Sequence, residues 1–365
     1  MARIVAAVSG GVDSAVAAAR LMDAGHSVTA VHLLLQPDGE PASGAPDDAA
    51  RVANRLGIPY ELWDLRDEFQ RLVLDDFTAE YAAGRTPNPC LRCNRTIKFG
   101  ELLSRALAAG FDGIATGHYA RLVETAGGVV ELHRALDASK DQSYVLSVLG
   151  QDKLRRVFLP LGESTKDEVR TEAESRGLPV AQKSDSMDLC FIPDGDRVGW
   201  LQQRLGVRPG VIADESGEVL GRHDGTYRYT IGQRKGLNLK HPSPDGTPRF
   251  VTGIDADHSR VVVGPHRHLA VESLRCGTAT WTSGKAPDGP SRLSVQVRAH
   301  GDEHPAIVTM LDDGSVEIAL PTPIMGVAPG QTAVFYDGSK VVGSAMIERC
   351  VHPAEEHTSL IAERA

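Results

Sequence analysis

The sequence predicts an α/β protein with an N-terminal doubly wound parallel sheet, a small central module and a C-terminal antiparallel β-barrel. Three observations carry this. Between Ile4 and Thr116, short apolar runs alternate with helical stretches, as in strand–helix units that feed a parallel sheet. Beyond about Trp200 glycine and proline become frequent, and period-two strands replace helices. At 365 residues the chain is long for one core, so two or three domains are expected. The expected division is 1–203, 204–270 and 271–353, with a tail over 354–365.

The elements follow in order. Ile4 to Val8 is short and apolar enough for a buried strand. A tight turn, Ser9-Gly10-Gly11-Val12-Asp13-Ser14, leads into an Ala-rich helix that Gly25 stops. His26 to Leu35 reads as a second strand, Gln36 to Pro46 as a flexible loop, and Asp47 to Leu56 as a helix ended by Gly57. A strand at Tyr60 to Leu65 and a helix from Asp67 to about Tyr81 come next. Two prolines hold Gly84 to Asn94 extended ahead of a helix from about Thr96 to Ala109. Asp112 to Thr116 is a strand that ends in Gly117-His118-Tyr119. A capping box, Thr165 to Glu168, starts a helix closed by Gly177 and Pro179. In the last eighty or so residues, strands such as Ser294 to Ala299 and Ala306 to Leu311 alternate with Asp-Gly turns at 313–314 and 337–338, as hairpins require.

Apolar content of 41% and charged content of 24% describe a globular protein with no membrane-length apolar stretch and no signal sequence, so a cytoplasmic location is expected. The net charge of −9 argues against indiscriminate nucleic-acid binding but allows a local basic surface. Arg222, Arg228, Arg234, Lys235, Lys240 and Arg249, facing only Asp224 and Asp245, form one candidate, with Tyr227 and Tyr229 interleaved as stacking residues or as strand residues packed beneath. Arg92, Arg95 and Lys98 add charge beside two cysteines. His26, His32 and His223 read as packing residues, and Glu163 and the Thr165 box as helix capping.

The opening strand, glycine turn and helix give the geometry in which backbone N–H groups converge on a phosphate. Neither the lysine of a GxxxxGK[ST] loop nor the GxGxxG spacing is present. Ser-Gly-Gly-x-Asp-Ser instead resembles the pyrophosphate loop of the ATP-pyrophosphatase (PP-loop) family, in which Asp13 implies a Mg²⁺ between itself and the phosphates. Five cysteines, two of them in the C-x-x-C of Cys90 and Cys93, suit chemistry better than a disulfide framework. Cys90 and Cys93 precede a predicted helix whose amide dipoles would stabilise a thiolate, and Cys190 lies far downstream. Zinc and a redox C-x-x-C are alternatives, but Cys276 and Cys350 are isolated and read as small hydrophobes in the barrel.

SGGVDS, TPNPCLRCNRTIKFG, ATGHYAR, KDQSYVL, DLCFIP, YTIGQRKGL and GVAPGQTAVFY occur in this order along almost the whole chain. That ordered set resembles the tRNA-specific 2-thiouridylases. The resemblance implies ATP held by Ala7, Val8, Ser9, Gly10, Gly11, Val12, Asp13 and Ser14, with Asp13 on Mg²⁺, the Leu33 backbone facing adenine and Gly117 closing the pocket. It implies Cys93 as nucleophile and Cys190 as persulfide carrier. Asn88, Pro89 and Cys90 would touch the target base, and His118 the RNA nearby. Lys140, Asp141 and Gln142 would meet the anticodon arm. Arg298, Ala299 and Gln331 would contact RNA from the barrel, although Ala299 lacks the aromatic side chain some relatives use. The implied partners are tRNAs for Glu, Gln and Lys, and a sulfur donor such as a cysteine desulfurase or sulfur carrier.

The chemistry explains why ATP and thiols appear together. A uridine C2 oxygen leaves poorly until AMP is transferred to it; a persulfide sulfur can then displace it, and the second thiol resolves the product through a transient disulfide. Family members often carry an aspartate where this chain has Cys90. With a third thiol there, Cys90, Cys93 and Cys190 could instead ligate a [4Fe–4S] cluster with one open iron. Another adenylating ligase of the same superfamily, needing no thiols, and a non-catalytic RNA-binding protein are the remaining readings.

Overall fold

The computed structural model describes residues 1–36, 44–184, 189–192, 194–239 and 246–353. Most of the expected 36–46 loop, Lys240, Asp245 and the 354–365 tail lie outside them. The first sheet is built from β1 (Arg3–Ala7), β2 (Ser27–Leu34), β3 (Tyr60–Asp64) and β4 (Gly113–Ala115). A hairpin, β5 (Arg121–Glu124) and β6 (Val130–His133), follows, and β7 (Val157–Phe158) completes the sheet. The order is β3-β2-β1-β4-β7 with every pairing parallel. Strand order therefore reverses beside β1, and the crevice at the carboxyl ends of β1 and β4 is where such a sheet binds ligands.

Alternation along β1 shows why both faces are covered. Ile4 and Ala6 join a core with the helix Val12–Asp23, while Val5 joins one with Phe69, Ile97 and Phe99 on the other face. Alanines 15 and 17 to 19 let the helix Val12–Asp23 sit close to the sheet and to the helix Lys166–Ser175.

One helix meets expectation and one departs from it. One runs continuously over 66–82, and the other over 89–108 rather than from Thr96, so Cys90 and Cys93 stand inside its first turns. Pro89 occupies the first helical position, and the Asn88 carboxamide oxygen accepts from the N–H groups of Cys90 (3.0 Å) and Leu91 (3.3 Å). The Pro-Asn-Pro run is thus a helix start, not only an extended lead-in. Between 94 and 102 the second helix widens into π-helical turns.

The central module holds β8 (Gly210–Asp214), β9 (Val219–His223), β10 (Arg249–Asp255) and β11 (Arg260–Pro265) in the order β10-β11-β8-β9. Tyr227 and Tyr229 are buried, 2% and 7% exposed. They pack beneath the module and supply no stacking surface, which settles the alternative left open for them.

The last part contains β12 (Ala270–Cys276), β13 (Thr280–Trp281), β14 (Ser291–Gln296), β15 (Glu303–Met310), β16 (Val316–Met325), β17 (Thr332–Asp337) and β18 (Lys340–Val351). β12-β16-β15-β14-β17-β18 closes through β18 on β12, giving a six-stranded antiparallel barrel with no open edge in the ring. The Asp-Gly turns join β15 to β16 and β17 to β18, with Gly314 and Gly338 at positive φ (81° and 57°). Cys276 is buried in this wall as expected, whereas Cys350 is only half-buried.

The hairpin β5–β6 belongs to the N-terminal part of the chain yet pairs with β18, His133 opposite Lys340 and Leu132 opposite Val341. Leu132, Val334, Tyr336 and Val341 share one apolar core with Ile97 and Phe99, so barrel and sheet domain pack as one body.

Candidate active site

The glycine turn lies at the carboxyl end of β1. Gly10 has φ +75°, and a Cβ there would meet the Ala45 carbonyl oxygen at 2.6 Å, so only glycine lets the loop lie against the next helix. The Ser14 hydroxyl accepts from the Ser9 N–H (3.2 Å) and donates to the Gly11 carbonyl (3.1 Å), which fixes the turn's shape. His32 is held neutral by burial and bonds the Val8 carbonyl at 2.8 Å. It is the packing residue it was expected to be. Gly117, just past β4, approaches so closely that a Cβ would stand 2.7 Å from the Ser14 nitrogen.

The loop itself contains no lysine, but two arrive from far downstream. Lys166 Nζ donates to both Asp13 carboxylate oxygens at 2.7 Å, and the Tyr119 hydroxyl donates to Oδ1 at 2.7 Å. Lys183 Nζ donates to the Gly10 carbonyl (3.0 Å) and to Asp48 (2.6 Å), whose carboxyl it holds below its ordinary range. Sequence reading missed both. One signal was available: Lys166 opens a helix, where the dipole disfavours a cation, so some other group must require it there. One carboxylate facing a phosphate-shaped turn fits Mg²⁺, which takes one or two protein carboxylates and leaves the rest of its shell to phosphate and water.

The thiol half adjoins this one through consecutive residues. Gly117 touches Asp13 and Ser14; His118 meets Lys98, Nε2 to Nζ 3.5 Å. Lys98 Nζ is a donor only, so His118 accepts at Nε2 and gives its Nδ1 proton to Thr116 Oγ1 (2.7 Å). Burial keeps His118 neutral, and at 6% exposed it is part of the wall and not of a surface. The Lys98 charge also reaches Cys93 and Cys190. In an α-helix residue 98 would sit roughly 140° round from residue 93. The π-helical turns bring it back towards the thiol.

Cys93 is buried, and burial pushes its thiol up to about 12 against the pull of Lys98. The expected lowering by the helix dipole is therefore outweighed, because Cys93 lies a full turn inside the helix with no solvent around it. Cys190 and Cys90 are exposed, and both lie near enough to Cys93 to raise its pKa further. Protein crowds the Cys190 sulfur and raises its pKa too, while the residue keeps the accessible surface a donor would need. Its neighbour Phe191 sits among Phe69, Phe77 and Trp200, ring centroids 5.3 to 6.0 Å apart. Among the described residues no three His, Cys, Asp or Glu side chains gather closely enough to hold a metal ion. Nothing in this arrangement adds support to a [4Fe–4S] cluster on Cys90, Cys93 and Cys190.

Several residues expected on RNA build the scaffold. Asp141 accepts from Arg134 (2.7 Å), the Ala135 N–H and Ser143, and Arg134 continues to Gln296, Glu303 and the Tyr336 ring. Gln142 accepts the Tyr119 N–H through Oε1 (3.0 Å), and Lys140 is half-buried beside them. Arg298 is exposed, with its guanidinium on the Gly326 carbonyl; Ala299 packs against the shared core. Gln331 donates to the Thr86 carbonyl. Leu33 lies near the carboxyl end of β2, and Pro89 is buried.

Family models match the chain throughout: a "tRNA methyl transferase HUP domain" over residues 2–194, a "tRNA methyl transferase PRC-barrel domain" over 199–265 and an "Aminomethyltransferase beta-barrel domain" over 271–347. A relative from Nocardioides sp. strain JS614, named tRNA-specific 2-thiouridylase MnmA, is 56% identical, covering 94% of this chain and 97% of its own. Relatives of the same name from Streptomyces coelicolor (53%, covering 94% of each chain) and Kineococcus radiotolerans (54%, covering 94% and 98%) agree.

The chain belongs to the tRNA-specific 2-thiouridylase family.

No helix among the described residues is long and apolar enough to cross a membrane.

Proposed function

We propose that this 2-thiouridylase converts the wobble uridine of tRNAs for Glu, Gln and Lys to 2-thiouridine by adenylating O2 and displacing it with persulfide sulfur from Cys190. tRNA thiolation at the expense of ATP is the activity of its family. The finer reading is carried by one observation: Gly117 against Asp13 and His118 against Lys98 join a phosphate-binding turn to a pair of thiols.

The uridine O2 attacks the α-phosphorus of ATP, pyrophosphate leaves, and C2 becomes electrophilic. The glycine turn and Val12–Asp23 present N–H groups to the β- and γ-phosphates, and Asp13 would hold a Mg²⁺ that would neutralise phosphate charge. Lys166 and Lys183 add positive charge at the same place. A persulfide on Cys190, loaded by a cysteine desulfurase or sulfur carrier, attacks C2 through its terminal sulfur, and AMP leaves with the former O2. The Cys93 thiolate then attacks Cys190 Sγ. That breaks the S–S bond to the product, forms a Cys93–Cys190 disulfide and frees 2-thiouridine. An external thiol reductant returns both cysteines to the reduced state. Lys98 is placed to stabilise each sulfur anion as it forms, and the buried Cys93 stays protonated until that moment. The target base must leave its stack to reach such a cleft.

The test is direct. The purified protein, ATP, Mg²⁺, a persulfide donor and unmodified tRNA should give 2-thiouridine by nucleoside analysis. Cys93→Ser and Cys190→Ser should give none while still releasing pyrophosphate. Serine variants that thiolate normally would remove the persulfide route.

A further inference from the structure

Lys166 sits at an unfavourable place for a cation. It is the first residue of the helix Lys166–Ser175, at the positive end of the helix dipole, and its side chain is only 10% exposed, so water does little to offset the charge. Asp13 supplies an opposing charge. The ammonium donates to both carboxylate oxygens at 2.7 Å, and Oδ1 also accepts from the Tyr119 hydroxyl at 2.7 Å. The Tyr119 ring lies under Nζ, with its centroid 5.9 Å away. The helix that carries Lys166 is anchored. Thr165 and Glu168 close the capping box in both directions, and the Lys166 N–H donates to Asp137 (3.0 Å). The part left able to move is the flexible side chain, not the backbone beneath it.

The same carboxylate is the one that fits Mg²⁺. A Mg²⁺ binds carboxylate oxygen at about 2.0–2.1 Å in near-octahedral geometry, and here an ammonium already uses both oxygens. Two cations on one carboxylate repel each other where little water screens them. Resting on the thiolation reading above, we propose that Lys166 is an exchanging counter-ion: it holds Asp13 in the resting site, yields the carboxylate to the metal of Mg²⁺–ATP, and carries its charge over to the phosphates that arrive with that metal. Charge stays balanced through the exchange. Asp13 keeps a cation throughout, and the released ammonium meets the polyphosphate beside the glycine turn. Bare Mg²⁺ offers that ammonium no new partner and would strand a buried charge, so Lys166 makes the site favour metal and nucleotide together over metal alone. Tyr119 is a neutral donor, has no such conflict, and keeps Oδ1 oriented in both states.

Binding of Mn²⁺, a paramagnetic stand-in for Mg²⁺ read by EPR, tests this without RNA, sulfur or turnover. With the metal alone, Lys166→Met should bind Mn²⁺ roughly tenfold more tightly than the unsubstituted protein, because a competing cation has gone. With α,β-methylene-ATP added, an analogue that cannot release pyrophosphate, the order should reverse and the variant should bind roughly tenfold more weakly. Lys166→Gln should repeat both shifts, which guards against a folding defect peculiar to one variant. Lys166→Arg, which keeps the charge, should bind Mn²⁺ alone no better than the unsubstituted protein. Tyr119→Phe removes a donor but no charge and should move both measurements in one direction, without reversal. Asp13→Asn should lose the signal in every background, which places the metal at this carboxylate. Mn²⁺ binding that weakens or stays unchanged in Lys166→Met and Lys166→Gln would overturn the exchange and leave Lys166 a structural partner of Asp13. A clear reversal in a protein that proves unable to thiolate would support the exchange while refuting the proposed activity.

Discussion

Asp13 receives three hydrogen bonds from Lys166 and Tyr119, whereas among the described residues Cys190 is held through its main chain, Gln36 Nε2 to its carbonyl (3.3 Å), and by the aromatic seat of Phe191 next to it. The contrast follows the chemistry at each end. Charge that develops on phosphate is stabilised only by groups already oriented towards it, because reorienting them during the reaction costs what they would contribute. A sulfur carrier has the opposite requirement: it must present its sulfur first to a donor and then to C2. An anchor placed mainly on the neighbouring side chain leaves that freedom. Cys93, to which the proposed route gives only the resolving step, is buried and fixed in a helix.

The largest expected effect comes from removing the fixed charge. Asp13→Asn should lower pyrophosphate release and thiolation together, by about 10²–10³-fold, as loss of one preorganised electrostatic group does. Retained pyrophosphate release in that variant would show that the turn activates uridine without Asp13. Lys166→Met comes next, with a loss of roughly tenfold to a hundredfold in the same step and a raised KM for ATP. The stability cost should be small, since Asp13 keeps a third of its side-chain surface in water and can be solvated without its partner. A smaller effect is expected at the sulfur end. Phe191→Ala should reduce thiolation about tenfold with pyrophosphate release unchanged, and Phe191→Leu should recover most of it. Equal losses in both steps would mean that the aromatic seat supports the whole domain and not the carrier alone.

This contrast also explains how much could be read without coordinates. Strand and helix periodicity are local, so the parallel sheet, the barrel strands and the Asp-Gly hairpins at 313–314 and 337–338 were legible. The glycine turn over 9–14 announced a phosphate-shaped loop. What stayed hidden depends on residues distant in the chain. Lys166 and Lys183 reach the glycine turn from more than 150 residues away, and Arg121 to His133 gives no sign that it will pair with β18. The helix start at Pro89 is hidden for a different reason: two prolines read as holding the chain extended, although at the first helical position proline initiates. Asp141, Gln142 and Gln331 carry polar side chains that look free in a sequence and are hydrogen-bonded within the fold.

The burial of Cys93 sharpens the comparison further through pH. With its thiol pushed up to about 12, the reactive thiolate is scarce at neutral pH and increases tenfold for each unit of pH below that value. Alkylation of Cys93 in the RNA-free protein should therefore rise with a slope of about one log unit per pH unit from pH 7 to beyond pH 10 without levelling. Cys190, with more accessible surface, should react faster throughout. Lys98→Met removes the nearest opposing cation, so Cys93 should become slower at every pH along a parallel line. A plateau near pH 8 to 9, the ordinary thiol range, would mean that solvent reaches Cys93 and that the sulfur end of the cleft opens without RNA. The fixed and the loosely held ends would then differ in exposure as well as in anchoring, and Cys93 would belong with Cys190.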